Sequence, residues 1–294
     1  MEKEDGNDVS VIIATLSRPT LGRVLNAIRA DLPKAQIIAI THGVASLEVK
    51  SLFLEHRIQH AVNESNSIGH SWNLGLGLVD RRYFTFFSDD DFWIANSLSE
   101  HKHKLEELDH DFILGAVELR KNDKTKKIKP KSVINRSLLE LLRNSAFFPG
   151  TKYVSLTSFL GRSTLATEYF NEDVPFWEDI LWLLNLEKSG YRYCQDKTVR
   201  SSIEINYSRG SNRETIHSYF AIAQYLNRIK PYAGKLFIKN IAVRNSLVAG
   251  ESEKISELII ALKLKSNIVK LAKWEILQLF LTLQIARMIR KIKK

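Results

Sequence analysis

Three short apolar runs, with a helix-like pattern between each pair, constrain the fold more than any other feature of this chain. Residues 9–15 (VSVIIAT) and 36–41 (QIIAIT) have no polar alternation, so they read as strands buried on both faces. Residues 83–87 (YFTFF) are the third such run. After the first, Pro19 and Thr20 suit a helix start, and Leu21, Val24, Leu25 and Ile28 recur at helical spacing. Residues 46–56 read as a second helix, a polar loop follows, and residues 71–79 read as a third. A β-α-β-α-β order calls for a mostly parallel sheet with helices on both faces, and places a ligand site beyond the carboxyl ends of the strands. The third run leads straight into Ser88-Asp89-Asp90-Asp91 at such an end.

Further along, residues 97–108 read as a charged amphipathic helix and 112–119 as a strand. Residues 120–131 carry seven basic side chains and one acid, the pattern of an exposed loop or hairpin tip. A strand at 154–160, a helix at 175–189 capped by Gly190, and short strands at 192–196 and 199–205 follow. Beyond the polar segment NYSRGSNRET the pattern turns helical from Ile216, with breaks near Pro231 and Gly250. The expected organisation is an α/β catalytic domain over residues 1–215 and a helical extension over 216–294.

The 294 residues, 44% hydrophobic and 26% charged with 13 Gly and 6 Pro, are ample for a core and exclude collagenous or wholly disordered readings. A single cysteine, Cys194, excludes an internal disulfide and multi-cysteine zinc motifs, and reads as a small buried hydrophobe. The net charge is +10, but residues 254–294 hold ten Lys/Arg against two acids, leaving only +2 for residues 1–253. Charge confined to a tail argues against a nucleic-acid-binding fold surface. The start MEKEDGNDVS has no basic-then-apolar signal pattern, so a cytoplasmic location is expected. The longest uncharged run in the tail, residues 276–286, is too short to span a bilayer, which takes about 20 residues. A basic amphipathic helix with Trp274 and Phe280 on its apolar side fits peripheral attachment to the inner face of the cell membrane; the alternative is a helix packed on protein.

Two acidic clusters carry the chemistry. Asp89, Asp90 and Asp91 crowd one strand end, which is costly unless a cation or hydrogen-bond donors neutralise them. Oxygen ligands of this kind suit Mg²⁺ or Mn²⁺ with substrate phosphates; a solvated acidic turn with Asp91 as a helix cap is the alternative. Glu178 and Asp179 open an apolar helix flanked by Trp177 and Trp182. Acids in a first turn are ordinary caps, but aromatic neighbours raise a carboxyl pKa and offer stacking surface for a sugar. Trp93 reads equally as core or as pocket lining. His101 and His103, two apart beside Lys102 and Lys104, read as solvated surface.

The ordered blocks VSVIIATLSRPTLGRVLNAI, SIGHSWNLGLGLV, FFSDDDF and WEDILWLLNLEKSGYRY resemble the inverting family 2 glycosyltransferases of GT-A fold, over residues 9 to about 215. The resemblance implies a Rossmann-like sheet flanked by helices, a nucleotide-diphosphate sugar donor, UDP-linked, and a glycan or lipid-linked acceptor. It implies Mn²⁺ or Mg²⁺ at the DxD motif, with Asp91 as principal ligand and Asp89 or Asp90 on ribose or a metal-bound water. It makes Asp179 of the Glu178-Asp179 pair the base, and matches Thr15, Ser17, Arg18 and Asn73 to donor-binding positions. Arg209 and Arg213, with His217 a weaker candidate, stand where the family often has a diphosphate-side His. This chain has Thr41-His42 where the family commonly has an acid, and Trp72 where it has Arg. A nucleotidyltransferase is the second reading, although LSRPTLG lacks the expected Gly-rich loop, and a catalytically silent membrane scaffold is the third.

Overall fold

The computed structural model describes residues 6–65, 67–121, 124–128, 155–174, 177–204, 216–229 and 234. The chain divides into two compact units, residues 1–137 with 150–207, and residues 138–149 with 208–294. The first contains β1 (Val9–Thr15), β2 (Gln36–His42), β3 (Gln59–Asn63), β4 (Tyr83–Ser88), β5 (Phe92–Trp93), β6 (Phe112–Lys121), β7 (Lys124–Ile128), β8 (Phe159–Arg162) and β9 (Tyr193–Glu204). They form one sheet in the order β3-β2-β1-β4-β8-β6-β9-β5, with β7 paired to β6. Strands β1 to β4 are parallel; β8 is antiparallel to both β4 and β6, and β9 runs parallel to β6. In the second unit the described helix is α6 (Ile216–Ile229).

Strand alternation sorts the two faces of the sheet. Val9, Val11 and Ile13 of β1 and Tyr83 and Phe87 of β4 pack with α1 (Leu21–Asp31), α2 (Leu47–Glu55) and α4 (Ser97–Glu107) through Leu25, Phe53 and Leu105. On the other face Ile12 meets α3 (Ile68–Leu76) so closely that a Cβ on Gly75 would lie 2.3 Å from its Cγ2. Only glycine permits that approach. Phe86, also on that face, contacts Trp72 of α3 and Trp182 of α5 (Glu178–Lys188) edge-on, at 5.2 and 5.5 Å.

The direction of α5 follows from register. Because β8 reverses both β4 and β6, and β9 is parallel to β6, β4 and β9 run the same way. Helix α5 ends at Lys188, and Tyr193 pairs with Phe112 at the amino end of β6. Helix α5 therefore runs back along the sheet, and its first turn, with Glu178 and Asp179, lies at the carboxyl end where Asp89 to Asp91 lie.

Several sequence expectations need correction. The loop expected before α3 contains β3, an edge strand half-exposed and paired only with β2, which needs no continuous apolar run. Where two short strands were expected at 192–196 and 199–205, the structure has the single strand β9, with an irregular register against β6. Leu156–Ser158 form a 3-10 turn, and the strand starts at Phe159. Of the two alternatives for the basic stretch at 120–131, the hairpin is the one observed: β7 pairs back on β6 antiparallel. His101 is fully buried rather than solvated: a Cβ on Gly115 would lie 2.4 Å from its Cε1. Burial lowers the pKa of His101, whose Nε2 lies 3.4 Å from Asp196. Cys194 is buried, as expected, and burial pushes its thiol up to about 11.

Candidate active site

Asp89 is the hub of the site. It is completely buried, and Oδ2 accepts from Thr15 Oγ1 at 2.6 Å, Leu16 N at 3.0 Å and Arg18 N at 3.3 Å. The Arg18 guanidinium closes on Oδ1. Between these amides Ser17 takes a left-handed φ of 58°, and its N–H turns back to Thr15 Oγ1 at 2.8 Å. Amides converging around a left-handed residue make an anion-binding concavity, and the anion in it is Asp89. The crowding of three carboxylates is thus relieved by donors. Arg18 also reaches Asp90 at 3.0 Å, and Ser88 donates to the same carboxylate.

Asp91 stands one residue further along, its N–H 3.4 Å from Ser88 O and its carbonyl 3.2 Å from Arg23 of α1. Thr20 Oγ1 donates to Asp89 O at 2.6 Å. Arg23 and Arg120 each lie over the Phe92 ring, 3.8 and 4.3 Å from its centroid. Sequence reasoning took Thr20 only as a helix start and did not name Arg23, although a hydroxyl at the N-cap and a cation in the first turn of α1, just after the first strand, were a usable signal. Behind Asp91, Trp93 belongs to the core: Nε1 donates to Asp31 Oδ2 at 2.8 Å, and the buried Arg200 lies 4.4 Å over its ring.

Asn73 is turned toward the segment that precedes α5. Its amide donates to Phe170 O at 3.0 Å and Glu172 Oε1 at 2.7 Å, and accepts from Phe170 N at 2.7 Å. Trp72, where an arginine was the family's usual residue, is buried beside Phe86. Trp182 is likewise core and not a sugar platform: it stacks on Phe170 at 4.6 Å and donates from Nε1 to Glu168 O at 2.6 Å. Trp177, which caps α5, has a left-handed φ of 68°.

Asp179 follows, half-buried, with Oδ1 accepting from Ile180 N at 2.7 Å. Burial pushes its carboxyl up to about 6, against the opposing pull of backbone N–H groups. Thr15, Ser17, Arg18, Asp89 and Asp90 are joined by hydrogen bonds and ion pairs at the carboxyl end of the parallel strands, with Asp91 next in sequence; the course of α5 puts Glu178 and Asp179 at that same end of the sheet. The side chains of Arg209, Arg213 and His217, and the tail from Ser256, lie outside the described residues. Among the described residues, no group of three or more His, Cys, Asp or Glu side chains is arranged to hold a metal ion, and no helix is long and apolar enough to cross a membrane.

The family model for glycosyl transferase family 2 matches residues 10–170, more than half of the chain. The chain belongs to that family. It is a glycosyltransferase of GT-A fold, which sets aside the nucleotidyltransferase reading. Among solved structures, residues 1–349 of Staphylococcus aureus TarS with UDP-GlcNAc are similar at a TM-score of 0.63 and 15% identity, covering 86% of this chain and 79% of that one. The same TarS fragment without ligand gives 0.62 at 13% identity, with coverages of 88% and 82%. Its complex with UDP gives 0.53 at 15% identity, with coverages of 86% and 84%. At such identity the likeness concerns the fold. No curated protein sequence matches the chain.

Proposed function

We propose that this enzyme transfers a sugar, with inversion, from a UDP-linked donor to a hydroxyl of a glycan or lipid-linked acceptor, with Asp179 as base. The observation that carries the reading is a carboxyl pushed up to about 6 at the same sheet end as the carboxylate-filled loop after β1. In the proposed step the acceptor oxygen attacks the anomeric carbon from the face opposite the nucleotide, and its proton passes to Asp179. The bond from the anomeric carbon to the phosphate oxygen breaks, and the diphosphate leaves with the electron pair. Arg209 and Arg213 are proposed to receive that charge, since guanidinium suits phosphate oxygens. The UDP-GlcNAc and UDP complexes of TarS support a UDP donor.

A divalent cation fits one carboxylate of the trio better than all three. The oxygens of Asp89 are engaged by Thr15, Leu16 and Arg18, and Asp90 by Ser88 and Arg18. Asp91 is then the residue proposed to hold Mn²⁺ or Mg²⁺ together with donor phosphates, a set such ions accept. When bound, the ion neutralises charge on the leaving diphosphate. Asp91→Ala is expected to weaken UDP binding roughly tenfold in Mn²⁺ and hardly at all in EDTA, a split that calorimetric titration reads. Equal weakening in both media would remove Asp91 from the ion.

The basic tail is proposed to hold the enzyme on anionic lipid at the inner membrane face. Full-length protein is expected to float with phosphatidylglycerol liposomes, and a chain truncated after Gly250 to remain below them. Equal partitioning would contradict this.

A further inference from the structure

Residues 170–172, on the approach to α5, are fastened to α3 by side chains that the transfer step proposed above leaves unassigned. Ser67, at the N-cap of α3, donates to Glu172 O at 2.9 Å. His70 Nδ1 lies 2.9 Å from Glu172 Oε2, while Asn73 donates to Glu172 Oε1 at 2.7 Å. Asn73 also pairs with both the N–H and the carbonyl of Phe170. The fit is close, since a Cβ on Gly69 would lie 3.1 Å from Asn171 O.

We propose that Asn73, Glu172 and His70 form a latch that holds the first turn of α5, and with it Asp179, in the position needed for transfer. They are positioning residues, and the inference rests on Asp179 being the base.

Three observations carry it. First, both N–H groups of the Asn73 amide are spent within the protein, on Phe170 O and Glu172 Oε1, so neither points to a donor molecule. Second, the latched segment grips α5 directly. Phe170 lies flat on Trp182 with ring planes 9° apart, and Glu168 O receives the Trp182 indole N–H. Trp182 follows Asp179 by three residues, so it stands one helical turn from the carboxyl. Third, the backbone entering α5 is in a conformation that does not hold itself: a non-glycine residue at φ 68° persists only where its surroundings fix it. The Asn73 amide, then, against the cost of burial, His70, keeps the Glu172 carboxyl below the usual range, so the latch is closed with Glu172 charged. A base set an ångström off line loses rate by orders of magnitude, whereas the donor cradle after β1 does not depend on these contacts.

The test uses the full chain with Mn²⁺. Turnover is UDP release from whichever of UDP-GlcNAc, UDP-GalNAc, UDP-glucose and UDP-galactose the wild type consumes fastest, and binding is calorimetric titration of UDP. Asn73→Ala and Glu172→Ala are expected to lower kcat on the order of 10²-fold while the UDP Kd stays within twofold. Glu172→Gln keeps an oxygen for Asn73 and is expected to recover most of the rate. Because the Glu172 side chain is 45% exposed, its variants fold irrespective of the fate of Asn73→Ala. A weakened UDP Kd with kcat retained would make Asn73 a donor contact and overturn the latch, as would wild-type kcat in Glu172→Ala. Asp179→Asn separates the two claims. If it turns over normally, the base assignment fails; if it is inactive while the latch variants run at full speed, only the latch fails.

Discussion

Asp179→Asn is expected to lower kcat by roughly 10³-fold while UDP binds as before. The substitution is isosteric, so it opens no cavity, and the amide oxygen still accepts the Ile180 N–H that reaches Asp179 Oδ1 at 2.7 Å. What it loses is the capacity to take a proton. The wild-type rate should rise with pH through the carboxyl's pKa, about 6, and then level, because the base works only when deprotonated. Stability should move the other way. The folded-state pKa is raised above the ordinary 3.8, so the folded protein holds this proton across the interval between 3.8 and about 6, and wild-type stability falls as pH rises through it. Asn carries no such penalty. The variant should therefore melt no lower than the wild type at pH 7 to 8, and it would be inactive without being damaged. Turnover within tenfold of wild type, or loss of UDP binding in parallel with activity, would take the base role away from Asp179.

How much of this was legible in the sequence depends on where each residue's partners lie. The strand runs at β1, β2 and β4 were readable because a parallel sheet buries both faces, and continuous apolar residues can do little else. The edge strand β3 was not, since Gln59 and His60 need satisfy only one neighbour, β2. His101 was misread because its nearest neighbours in sequence are lysines, whereas its partner Asp196 is on β9 and the space it fills is left by Gly115 on β6. The acidic trio was found, but not the division of labour within it. That Asp89 fills the anion-binding loop while Asp91 stands beyond it depends on the left-handed turn at Ser17, which no spacing announces. Similarly, the pairing of Asn73 with Phe170 and Glu172 joins residues about a hundred positions apart.

The buried, fully engaged carboxylate of Asp89 makes this residue one whose loss should be felt strongly in stability. Asp89→Asn is expected to cost about 3 kcal/mol, at the lower end of the range for removing one partner of a buried ion pair, because the Arg18 side chain is 31% exposed and recovers some hydration. Shape is unchanged, so the cost is electrostatic. The carboxylate accepts from Thr15, Leu16 N, Arg18 N and the Arg18 guanidinium, whereas an asparagine offers one acceptor oxygen and turns an NH₂ toward donors. The left-handed backbone at Ser17 is held by the amides on either side of it, which both point at Asp89, so weakening that anchor also releases conformational strain into the loop. Asp90→Asn should cost much less, since its Arg18 contact duplicates one that Asp89 already makes. Urea unfolding reads the difference as a lower midpoint at unchanged slope. A loss below about 0.5 kcal/mol for Asp89→Asn, the range of ordinary surface substitutions, would mean that the loop after β1 is held by something other than the buried carboxylate. A large loss together with weakened UDP binding would tie the architecture of that loop to the donor site proposed beside it.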